Sequence, residues 1–109
     1  MGMYLEREEI MYGTVARLQV KPGMQEQFRA LGQEISKNPP PGHVAFYVYQ
    51  MDADPTEYYL TVVFESKAAY HANAASPEQD AEYRKLRALL RADPEWHDGE
   101  IIQSDSASK

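Results

Sequence analysis

The residues able to carry chemistry in this chain are three histidines, eight tyrosines, the arginines and one tryptophan. His43, His71 and His97 stand apart. None has a second His, Asp or Glu at a ligand spacing such as H-x-x-x-H on one element, so no metal is expected from them. The serines lie outside any G-x-S-x-G turn, and there is no G-x-G-x-x-G run or phosphate-binding loop. An acyl-transfer elbow and a bound nucleotide cofactor therefore have no support. With no cysteine, a thiolate zinc site, an iron–sulfur cluster, a disulfide scaffold and a cysteine nucleophile are excluded. What remains is a set of Tyr, Arg and Trp side chains. Tyr outnumbers Phe 8 to 3, and a phenol buries a ring while keeping a polar tip, which suits pockets, interfaces and sheet margins alike. Arg17, Arg84 beside Tyr83, and Trp96 complete the set. Each arginine can hold an anion or stay solvated.

Length and charge narrow the classes further. At 109 residues the chain allows one domain with one core. A net charge of −6 opposes a nucleic-acid or anionic-membrane surface, each of which needs concentrated Lys and Arg. No apolar run approaches the roughly 20 residues of a membrane span. Met1 to Ile10 lacks the apolar stretch of a signal peptide, and the cytoplasm is the expected location. The expected organisation is an N-terminal extension over 1–10, a compact domain over 11–103 and a polar tail over 104–109.

The elements that must position these side chains follow from periodicity. Met11–Val20 reads as a strand, ended by Lys21-Pro22-Gly23. Met24, Phe28, Leu31 and Ile35 share one helical face, and Pro39-Pro40-Pro41-Gly42 stops that helix. His43–Met51 and Glu57–Glu65 are rich in β-branched and aromatic residues and predict an antiparallel hairpin across Asp52–Pro55. Ser66 is placed to cap a short helix over 67–73. Ser76-Pro77 followed by Gln79 predicts a capping box and a helix to about Ala92, with Tyr83, Leu86, Leu89 and Leu90 as its apolar contacts. A short last strand is expected around Ile101. The order β-α-β-β-α-β predicts a ferredoxin-like α+β fold, an antiparallel sheet with helices on one face. In the third strand Tyr58, Leu60, Val62 and Phe64 share one face and Tyr59, Thr61 and Val63 the other. The second strand splits into Val44, Phe46 and Val48 against Ala45, Tyr47, Tyr49 and Met51. Neither strand has a polar face, yet the helices cover only one side. The economical cover for the other is a second copy, so a homodimer is expected.

Phe64-Glu65-Ser66-Lys67-Ala68-Ala69-Tyr70, with Asn73, Ser76-Pro77 and Ala81-Glu82-Tyr83-Arg84 downstream, resembles the antibiotic biosynthesis monooxygenase family. Val20-Lys21-Pro22-Gly23 and Pro41-Gly42 fit the same pattern, and the resemblance spans roughly residues 11–103. It implies ferredoxin-like protomers pairing into a dimeric α/β barrel. One branch of the family oxidises polycyclic phenolic anthrones to quinones with molecular oxygen, without metal or flavin. The resemblance implies Tyr70 and Arg84 as its catalytic side chains. Phe64 stands where that branch has Trp, and Leu60 where it has Asn. A haem-degrading branch fits less well: the first strand has no Asn, Phe64 again replaces Trp, and Tyr83 stands where the haem-ligating His would be. A third group includes isomerases.

In the first of these readings Leu60, Val62 and Phe64 wall a small aromatic substrate, with Tyr83 beside them and Trp96 stacking on its ring. Arg84 stabilises an oxyanion, and Tyr70 hydrogen-bonds the phenolate or relays its proton. No cofactor is required. Two alternatives stand beside it: a non-catalytic small-molecule-binding dimer, and an isomerase on the same scaffold. Each side chain also has a purely structural role open to it: Tyr70 packed between helix and sheet, Arg84 paired or solvated, Trp96 closing the core.

Overall fold

Every second residue of the first strand is apolar or small, and that alternation places one row of side chains in the core. In the computed structural model, which describes residues 10–105, β1 spans Tyr12–Gln19 with Tyr12, Thr14, Ala16 and Leu18 buried. Residues 1–9 and 106–109, most of the expected extension and tail, lie outside the described residues. The chain continues through α1 (Gln25–Lys37), β2 (His43–Gln50), β3 (Glu57–Phe64), α2 (Lys67–Ala74), α3 (Pro77–Ala88) and β4 (Glu95–Glu100). The strands form one antiparallel sheet in the order β2-β3-β1-β4, the ferredoxin-like arrangement.

The helices pack on one face. Phe28 of α1 packs on Tyr58 in a tilted contact at 4.5 Å between ring centroids, joining Ala16, Leu18, Val20, Leu60 and Leu90 in the core. Capping fixes where the later helices begin. The Ser66 hydroxyl accepts from Ala69 N, and the Ser76 hydroxyl accepts from Gln79 N, each at 3.1 Å. Only half of the expected capping box forms, because the Gln79 side chain turns to the Asn73 amide instead.

Three expectations need correction. Leu89 and Leu90 fall outside α3, which ends at Ala88. The end of β1 captures this segment: Lys21 N donates to Leu89 O at 2.8 Å, Arg91 N donates to Gln19 O at 3.0 Å, and Val20 bridges Leu90. β4 begins at Glu95, earlier than expected, and stops before Ile101, because its register against β1 pairs Trp96 with Ala16. Val44 does not share the covered face with Phe46 and Val48. The pairing of β2 with β3 shifts between His43 and Ala45, and Val44 is left 50% exposed.

Candidate functional site

The helices leave a gap over the sheet, a cavity of about 970 Å³. Its floor is the helix-side row of the strands, including Phe46, Leu60, Val62 and Phe64, and its walls come from α1, α2 and α3. Six of the side chains given a substrate-site role in the sequence meet here: Leu60, Val62, Phe64, Tyr70, Tyr83 and Trp96 all line it. Leu60 and Phe64 are buried, while Trp96 is 43% exposed on the edge strand and so does not close the core. Arg84 is not brought to the lining. Its guanidinium reaches Asp80 Oδ2 at 2.9 Å, one turn back on α3, and the side chain is 78% exposed. Asp80 does line the cavity, so Arg84 stands at the rim. Arg17 lies on the opposite face, held by Glu57 and by Glu95 at 2.9 Å. These hydrogen bonds raise its pKa further, and two carboxylates leave it no vacancy for an anion.

The polar centre of the cavity is Tyr70. Its hydroxyl donates to Asp98 Oδ1 at 2.9 Å. Burial first, and then this bond to an anion, push the phenol up to about 12, so Tyr70 stays protonated at neutral pH. Its ring is fixed by a tilted contact with Tyr12 at 5.2 Å and edge contacts with Phe64 at 5.8 Å and His71 at 5.5 Å. Thr14 lies directly across the β1–β4 register from Asp98. The Thr14 hydroxyl is near enough to the Tyr70 oxygen to offset part of that rise, yet it meets no hydrogen-bonding geometry. It is 4% exposed and without a partner among the described residues. An unsatisfied buried hydroxyl costs about 1–3 kcal/mol, which sequences tend to remove unless the site uses it.

Sequence reasoning passed over Thr14 and Asp98 and weighed His43 and His71 only as metal ligands, and all four line the cavity. The two missed residues carried a signal: Thr14 alternates with Ala16 and Leu18, and Asp98 with Trp96, so a final strand placed at Glu95 brings both to the helix side. Among the described residues no three His, Asp or Glu side chains gather as a metal centre needs. No helix there is long and apolar enough to cross a membrane.

A sheet ordered β2-β3-β1-β4 with a mostly apolar cavity under its helices defines a ferredoxin-like domain. The antibiotic biosynthesis monooxygenase family matches residues 11–85, and the chain belongs to that family. No curated protein matches it. Among solved structures, it is similar to a protein of Chloroflexus aurantiacus J-10-fl named for antibiotic biosynthesis monooxygenases. The identity there is 25% and the TM-score 0.73, over 88% of this chain and 97% of that one. SnoaB, a cofactor-independent oxygenase of Streptomyces nogalater, shares the fold at 20% identity and a TM-score of 0.75, over 86% of this chain and 95% of that one. A conserved protein of Methanosarcina mazei Go1 does so at 18% identity and 0.76, over 88% and 96%.

Proposed function

We propose that this chain is a monooxygenase that takes a small aromatic or polycyclic phenolic metabolite into the cavity and oxygenates it without metal or flavin. The observation carrying this reading is the Tyr70–Asp98 pair set on the wall of a mostly apolar cavity large enough for a fused-ring ligand. Family membership supports it, as does the fold shared with SnoaB, an oxygenase that needs no cofactor.

Such chemistry asks little of a protein beyond binding, deprotonation and exclusion of water. An anthrone in its enol form carries an acidic hydroxyl. That hydroxyl donates to the Tyr70 oxygen, and its proton passes through Tyr70 to Asp98. Tyr70 relays rather than ionises because its own proton is held so firmly. The electron-rich anion gives one electron to oxygen. The resulting radicals combine at the ring carbon, and protonation yields a hydroperoxide. Loss of the second hydrogen from that carbon, with cleavage of the O–O bond, gives the ketone and water. The sum is CH2 + O2 → C=O + H2O, with the substrate as the only reductant. Phe64, Leu60 and Val62 form the apolar floor, Tyr83 a side wall, and Trp96 the stacking surface at the open edge. Arg84 acts from the rim, where it reaches a ligand oxyanion only by leaving Asp80. Oxygen uptake with an anthrone substrate, compared between the wild type, Tyr70→Phe and Arg84→Ala, tests the reading.

The working unit in this proposal is a homodimer joined through the sheet face opposite the helices. That face exposes Val15 at 46%, Tyr47 at 59% and Tyr49 at 54%, an apolar surface that a second copy would bury.

A further inference from the structure

We propose that Asp98 sets the ligand selectivity of the cavity: by holding the Tyr70 proton it leaves a pair of oxygens that only accept hydrogen bonds, which admits an uncharged ligand bearing a hydroxyl and turns away anions. This rests on the reading of the cavity as a site for small aromatic molecules. A phenol has one proton, and that of Tyr70 goes to Asp98 Oδ1 at 2.9 Å. The Tyr70 oxygen can then only accept, as can the carboxylate. The arrangement is built into the sheet. Asp98 stands opposite Thr14 in the β1–β4 register, and the Tyr70 hydroxyl reaches it from α2.

The remaining charged and titratable groups on the lining do not reverse this polarity. Asp80 and Glu82 on α3 add negative charge, Arg29 comes from α1, and His43 and His71 come from β2 and α2. None of these donates a hydrogen bond to Asp98 among the described residues, and the guanidinium of Arg84 is taken by Asp80. A ligand carboxylate would face Asp98 with only the uncharged Thr14 hydroxyl opposite it as a donor, which does not offset the charge. A neutral phenol or enol instead presents a proton to the Tyr70 and Asp98 oxygens.

The test uses the full chain in isothermal titration calorimetry at neutral pH with three matched probes: β-naphthol, its methyl ether and β-naphthoate. In the wild type, β-naphthol should bind about fivefold to tenfold more tightly than the ether, the value of one hydrogen bond, and at least about tenfold more tightly than β-naphthoate, whose charge is unpaired there. Asp98 is exposed on an edge strand, so Asp98→Asn should melt with the wild type. In that variant β-naphthoate should gain about tenfold relative to the ether, whose own affinity reports an intact cavity. Asp98→Ser, equally uncharged, should move in the same direction. Equal binding of β-naphthol and β-naphthoate to the wild type overturns the assignment, as does an unchanged ratio in both variants. Either result leaves the aromatic-binding cavity standing. If none of the three probes binds, the assignment and the cavity reading fall together.

Discussion

Tyr70 is the side chain on which most of this site depends, and its proton is the most informative single quantity. A phenol pushed from 10.0 to about 12 favours the neutral form in the folded protein. The sign follows from linkage: the stabilisation is fully present below pH 10 and is lost as pH rises through about 12. Absorbance titration of the tyrosinate band should therefore show a step near 12 that Tyr70→Phe removes. If the variant titrates like the wild type, the phenol is not held as described. In sequence, Tyr70 and Arg84 stood as equals. Tyr70 lies on a helix pinned by the Ser66 cap and directed at the sheet, so its neighbours settle its position. Arg84 is an exposed residue of α3 at the rim, and a choice between Asp80 and a ligand is not written in any periodicity.

At the scale of the elements, β1 is the strand that everything else is built on, since it pairs with both β3 and β4. Its tightest point is Gly13, where an added Cβ would lie 1.8 Å from the Val62 carbonyl oxygen, a backbone atom that cannot turn aside. Gly13→Ala should thus cost about 3 kcal/mol or more in stability. Chemical denaturation measures this, and a midpoint equal to the wild type contradicts the tight β1–β3 approach. β1, β2, β3 and α1 were legible because their apolar spacing, the Pro-Gly turns and the triple proline agree at every level. The end of α3 and the start of β4 were not. Leu86, Leu89 and Leu90 keep a helical spacing, but Leu90 is drawn into a bridge with Val20 that no local pattern encodes. That one tertiary contact frees the chain to start β4 at Glu95, and with it goes the position of Asp98. The bulge at His43–Ala45 was hidden for a similar reason, since strict alternation assigns Val44 to the wrong side. Half of the site, the Leu60–Phe64 floor with Tyr70, was readable from local sequence. The other half, Thr14 and Asp98, depends on a register between strands some eighty residues apart in the chain.

At the scale of the molecule, the two faces of the sheet divide the work. The helix side holds the cavity, and the far side carries exposed Val15, Tyr47 and Tyr49 around the Arg17–Glu57–Glu95 ion pairs. Light scattering at micromolar concentration should give twice the chain mass, and Tyr47→Glu with Val15→Glu should give a monomer. A wild-type monomer mass contradicts the pairing. The most direct measurement of all is oxygen uptake by protein stripped of metal and flavin, given a readily oxidised anthrone. The wild type should consume oxygen well above the spontaneous rate. Tyr70→Phe should slow it about a hundredfold, as expected for loss of a proton-transfer group, and Arg84→Ala at most about fivefold, as for an exposed ion pair. Uptake at the spontaneous rate, or uptake that Tyr70→Phe leaves untouched, would contradict a cofactor-free oxygenase centred on Tyr70.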